Sequence, residues 1–135
     1  MHSDFSFEID KPNGLIRIRM AGVFTHDDID AFIAARRDAH RELGCPPNAH
    51  LTLNDLRGMK IQPADVVAAF HELLASPEYR SRRLAFVVGQ TLTRGQLMRA
   101  ATGRTVRWFE DPAAAEAWLL EEDAQAAPPR RAAGR

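Results

Sequence analysis

Leu84-Ala85-Phe86-Val87-Val88-Gly89 is the stretch that decides the fold. Apolar side chains fall at odd and even positions alike, so a strand built from it hides both faces. Such a strand lies inside a sheet with helices on either side, which places the chain in the α/β class.

The flanking segments agree. Phe5, Phe7 and Ile9 alternate with polar residues, the period of a half-buried strand. Lys11-Pro12-Asn13-Gly14 is turn chemistry, and Leu15, Ile16, Ile18 and Met20 continue as a second strand with Arg17 and Arg19 on its other side. The two form an opening antiparallel hairpin. Thr25-His26-Asp27-Asp28 reads as a capping box, and Ile29, Phe32, Ile33, Arg36 and Leu43 follow helical spacing up to Gly44. His50 to Leu56 is a third strand, which Asp55 closes. Pro63 stands at the first position of a second helix striped by Val66, Val67, Phe70, Leu73 and Leu74. Beyond the central strand, Thr93 and Gln96 cap a short helix from Gln96 to Ala101, and Thr105 to Phe109 is a last strand. Asp111-Pro112 starts a helix that runs to Leu120. The order predicts a single mixed sheet of about five strands packed with about four helices. Residues 1–123 form the domain, and the Ala-, Pro- and Arg-rich residues 124–135 are expected to be a disordered tail.

Composition narrows the function classes. The 135 residues are 45 % hydrophobic and 27 % charged, a globular balance rather than a disordered one. The longest strongly apolar run, Leu84 to Val88, is far short of the roughly 18 residues of a membrane helix. No secretory leader is visible after Met1, and Cys45 is the single cysteine. Both observations fit a cytoplasmic protein that is not transmembrane and has no disulfide framework or Cys-rich zinc site. The cations are 16 Arg and 2 Lys, a bias that coding composition explains better than anion recognition does.

The 18 bases balance the 18 acids, but not evenly along the chain. Residues 79–109 hold seven Arg and no acid, whereas residues 110–123 hold six acids and no base. Opposed blocks of this kind pair within a domain or across a dimer. Nucleic acid is not expected as a partner, because the basic stretch lacks the interleaved aromatics of a single-strand platform.

Catalytic signatures are missing. No Gly-x-Ser-x-Gly elbow or phosphate-cradling Gly-rich loop occurs, and no pair of histidines has helical metal-ligand spacing. The five histidines are therefore read as exposed or satisfied surface residues, with no metal and no cofactor. One site hypothesis remains. Asp55 and Arg57 lie at the carboxyl edge of the sheet, and Thr91, Thr93 and Arg94 leave the central strand at the same edge towards a helix N-terminus. Ligands of open α/β sheets bind outside that edge, so these five residues are candidates for a small anion, another small molecule or a lipid.

Several stretches together resemble the SpoIIAA-like (STAS/SEC14-type) domain family across roughly residues 5–122. They are Gly22 to Asp28, Leu53-Asn54-Asp55-Leu56-Arg57-Gly58-Met59, Arg83 to Gly89, and Val106-Arg107-Trp108-Phe109 running into Ala114 to Leu119. The resemblance implies a small mixed sheet packed with helices, commonly in a homodimer. In the anti-sigma-factor antagonists of this family, an Asp-Ser/Thr-Ser-Gly motif before the second helix carries a phosphorylated hydroxyl. Here Gln62-Pro63-Ala64-Asp65 stands at that place, and neither Pro63 nor Ala64 offers a hydroxyl. The expectation is a divergent member without the phosphorylation switch, acting as a non-catalytic cytoplasmic interaction or regulatory module. The alternative is a ligand-binding protein using the carboxyl edge.

Overall fold

The computed structural model describes residues 3–46, 49–75, 81–89 and 106–121. Five strands form one sheet in the order β1-β2-β3-β4-β5. They are β1 (Asp4–Asp10), β2 (Leu15–Gly22), β3 (Leu51–Met59), β4 (Arg83–Val87) and β5 (Val106–Phe109). The helices are α1 (His26–Leu43), α2 (Ala64–Ala75) and α3 (Pro112–Leu120). β1 pairs antiparallel with β2, and every later pairing is parallel. The expected mixed sheet with its opening hairpin is present. The short helix expected at Gln96–Ala101 and the tail lie outside the described residues.

Local chemistry explains the elements. Gly14 closes the hairpin turn with φ +61, and the Asn13 side chain donates to Asp10 at 2.9 Å. Thr25 and Asp28 make both hydrogen bonds of a capping box on α1, and Gly44 ends the helix at φ 75. Asp111 caps α3 by accepting from Ala113 N–H, with Pro112 in the first turn.

The two sheet faces differ. On one, Ile16, Ile18, Met20, Leu56, Leu84 and Phe86 pack under Phe24, Phe32 and Phe70 with α1 and α2. On the other, Leu15, Leu51, Leu53, Ala85 and Val87 pack against Ala115, Trp118 and Leu119 of α3. β4 is buried along its whole length, as a strand covered on both sides must be. α3 packs mainly on β3, β4 and β5, and meets β2 through Leu15 and the Arg17–Glu116 pair. Among the described residues no helix covers the rest of that sheet face across β1 and β2, and a shallow groove of about 230 Å³ lies there among Ser6, Glu8, Arg17, Arg19, Leu53 and Asp55.

Candidate functional site: the carboxyl edge and the half-covered sheet face

Asp55 does not close its strand. β3 continues to Met59, because the β2–β3 register shifts between Arg19 and Ala21 and Gly58 takes up the irregularity. Only glycine fits there: a Cβ on Gly58 would lie 2.7 Å from the Cβ of Ala21. Asp55 and Arg57 thus share one face of a strand rather than a loop. Asp55 Oδ1 accepts from the Arg57 backbone N–H at 3.1 Å and from Nε at 2.9 Å, and Oδ2 accepts from Nη2 at 2.7 Å. Burial pushes the Asp55 carboxyl up, but hydrogen bonds and charge from Arg57, with Arg19 behind, hold it below the ordinary value. Much of the Arg57 fork is therefore already engaged by its own neighbour. Thr91, Thr93 and Arg94 lie outside the described residues.

The segment before α2 is a structural clasp. Gln62 is buried; its Nε2 donates to the carbonyls of Gly22 at 2.8 Å and Lys60 at 2.6 Å, and its Oε1 accepts from Phe24 N–H at 2.9 Å. Pro63 precedes α2 and its carbonyl accepts from Val66 and Val67, while Ala64 is the first helical residue. Asp65 meets His26 at 2.6 Å across the N-termini of α2 and α1, and that hydrogen bond holds the carboxyl of Asp65 below its ordinary value. Sequence reading missed Gln62, whose three partners lie 2 to 40 residues away.

A line of polar groups is buried beneath α1. His50 is 1 % exposed and contacts Ser81, which shares a 2.6 Å hydrogen bond with Thr52. This corrects the surface reading of the histidines. His40 stacks edge-on against His50 and receives the Nε–H of Arg36 at 3.3 Å. Burial, with Arg36 and His50 adding their charge, lowers the His40 pKa to about 3. Asn54 is 5 % exposed, and its Oδ1 has no hydrogen-bond partner among the described residues. It borders a cavity of about 20 Å³ shared with Arg36, Phe32, Phe70 and Phe86. That is room for roughly one water, too little for a ligand of any size.

α3 is fixed to the sheet by two arginines. Arg17 of β2 holds Glu116 through Nε at 3.0 Å and Nη2 at 2.7 Å, and that pairing raises the Arg17 pKa above its ordinary value. Arg83 of β4 donates to the Trp118 carbonyl at 2.7 Å and the Glu121 carbonyl at 3.2 Å, supplying a cation at the helix C-terminus. The outward positions Ala113, Ala114, Ala117 and Leu120 are exposed. A surface helix ordinarily turns charged residues to water; this one is apolar on both sides.

Among the described residues, no group of three or more His, Cys, Asp or Glu is placed to hold a metal, and no helix is long and apolar enough to cross a membrane.

Comparison with known proteins defines the class. The chain is similar to the crystal structure of an uncharacterised protein of the DUF3478 family with a SpoIIAA-like fold from Shewanella loihica PV-4. The match has a TM-score of 0.66 at 18 % identity and covers 87 % of this chain and 93 % of the other. The chain therefore has a SpoIIAA-like fold, as the sequence resemblance implies. No family profile and no curated protein matches it.

Proposed function

We propose that this SpoIIAA-like domain is a non-catalytic interaction module of the STAS type that self-associates through the outer face of α3 and acts in the cytoplasm. The observation that carries the reading is the helix itself. Ala115, Trp118 and Leu119 bury its inner side, yet Ala113, Ala114, Ala117 and the 41 % exposed Leu120 leave its outer side equally apolar. Apolar surface of this kind on a small domain marks a contact site. Small side chains allow close approach of a second helix, and a second copy supplies the same surface about a two-fold axis.

Magnitude sets the kind of assembly. A helix of nine residues is about 14 Å long and offers less than the ~800 Å² per partner of a standard interface. The dimer is consequently reversible and concentration-dependent. A ligand at the carboxyl edge is the weaker reading, because Asp55 already takes two donors of the Arg57 side chain.

Sedimentation velocity from about 5 to about 500 µM tests the proposal. The expected result is a rise in weight-average mass with concentration that Leu120→Arg abolishes while the melting temperature holds. A strict monomer throughout the range, or unchanged association in the variant, overturns it.

A further inference from the structure

β1 ends the sheet. Its inner edge makes seven consecutive pairs with β2, from Asp4↔Ala21 to Asp10↔Leu15, without a bulge. No strand among the described residues pairs with its outer edge. Proteins blunt such edges with short strands, proline, bulges or charged side chains, lysine above all. Asp4-Phe5-Ser6-Phe7-Glu8-Ile9-Asp10 has no proline, bulge or lysine, and its charges are all carboxylates, which repel another acidic edge but not a basic one.

Its two faces differ in chemistry. Phe5, Phe7 and Ile9 are half-buried against the α1 side, with Phe5 and Phe7 each 5.3 Å from the Phe32 ring. Asp4, Glu8 and Asp10 line the face that α3 leaves uncovered. β2 shows what answers this pattern. Its Arg17 pairs with Glu8 at 3.6 Å and Asp10 at 3.2 Å, and its Arg19 with Asp4 at 3.3 Å. Between them Ile16, Ile18 and Met20 extend the apolar side. The answer is incomplete, since Arg17 is shared with Glu116 and Arg19 also acts on Asp55. Asp4, Glu8, Asp10 and Glu116 thus share two guanidinium groups, which leaves two carboxylates in excess on this face.

A second copy of β1 is a poor occupant. Antiparallel self-pairing over five or more residues, with Phe5, Phe7 and Ile9 on one face, always sets a carboxylate opposite a carboxylate. Like charges directly opposite destabilise a sheet.

We propose that β1 is an acceptor edge for an extended segment of another protein that alternates Arg or Lys with apolar residues. The segment adds as a sixth strand. Main-chain hydrogen bonds hold it, its cations lie beside Asp4, Glu8 and Asp10, and its apolar side chains cover Phe5, Phe7 and Ile9. The surface is separate from α3, so the inference goes beyond self-association and stands or falls independently.

The probe is a fluorescein-labelled peptide, Arg-Val-Arg-Val-Arg-Val-Arg, titrated with the full chain and followed by anisotropy. Saturable binding between about 10 and about 500 µM is expected, weakening with salt and at least about tenfold weaker in Glu8→Lys. Alternate amides of residues 4–10 should exchange more slowly when the peptide is bound. Glu8→Gln, an uncharged change at an exposed position, should weaken binding less and keep the melting temperature. Leu120→Arg should bind the peptide normally, separating this edge from the α3 face. Equal binding of a peptide of the same composition with its arginines clustered, protection outside β1, or no saturation in the stated range overturns the proposal.

Discussion

Asn54→Leu should make the protein more stable. Asn54 is 5 % exposed, and its side-chain carbonyl lacks a hydrogen-bond partner among the described residues. An orphaned buried acceptor costs about 1–3 kcal/mol relative to one that is satisfied or absent. Leucine also adds methyl groups beside a cavity of about 20 Å³, worth about 0.5 kcal/mol at the usual slope of cavity energies. Fitting the branched side chain among Phe32, Phe70 and Phe86 opposes this by up to about 1 kcal/mol. The net expectation is a gain of about 1–2 kcal/mol. Urea unfolding followed by circular dichroism should show a higher midpoint with an unchanged slope, and the melting temperature should rise by about 3–8 °C. A loss of 1 kcal/mol or more would refute the reasoning, because it would mean that the Asn54 carbonyl is satisfied in the folded protein and that its partner is left stranded.

His40 should make stability fall in mild acid. Its folded pKa of about 3 lies below the ordinary 6.5, so the unfolded chain takes up the proton first. The stability that neutral His40 contributes is complete above about pH 6.5 and is lost as pH falls towards 3; His40→Gln should flatten a denaturation series between about pH 6.5 and 4. Below that window, Asp10, Asp55, Asp65 and Glu116, whose pKa values are held down, steepen the loss in both proteins. Gly58→Ala should destabilise by about 1–3 kcal/mol, because the new Cβ meets the Cβ of Ala21 at 2.7 Å and neither can swing aside. Urea midpoints measure that cost, and an unchanged midpoint would contradict the close approach.

The sequence made the scaffold legible where local chemistry is strong. Alternation in Phe5, Phe7 and Ile9, the Thr25–Asp28 box, the Asp111-Pro112 start and the doubly apolar β4 each specify an element on their own. The end of β3 was not legible, because it depends on a register shift against Ala21 that no local pattern reveals. Arg36 stands on the apolar stripe of α1 by spacing, and it is buried there at 3 % exposure. The burial of His50 follows from Ser81 and His40, residues distant in the chain. Block charges do not specify individual pairs. Glu116, from the acidic stretch, pairs with Arg17 in the hairpin rather than with the neighbouring basic stretch. At the candidate site, the mutual fork of Asp55 and Arg57 is a matter of side-chain geometry beyond sequence reading.

Self-association through α3 is tested most directly by disulfide trapping. Ala117→Cys in a Cys45→Ser background puts one thiol at the centre of the exposed helix face, and Glu72→Cys in the same background puts one on the exposed side of α2. Under mild oxidation at high protein concentration, the Ala117→Cys protein should form a cross-linked dimer many times faster than the Glu72→Cys control, with Leu120→Arg removing the difference. Equal rates at the two positions would contradict the assignment of the α3 face as the contact surface.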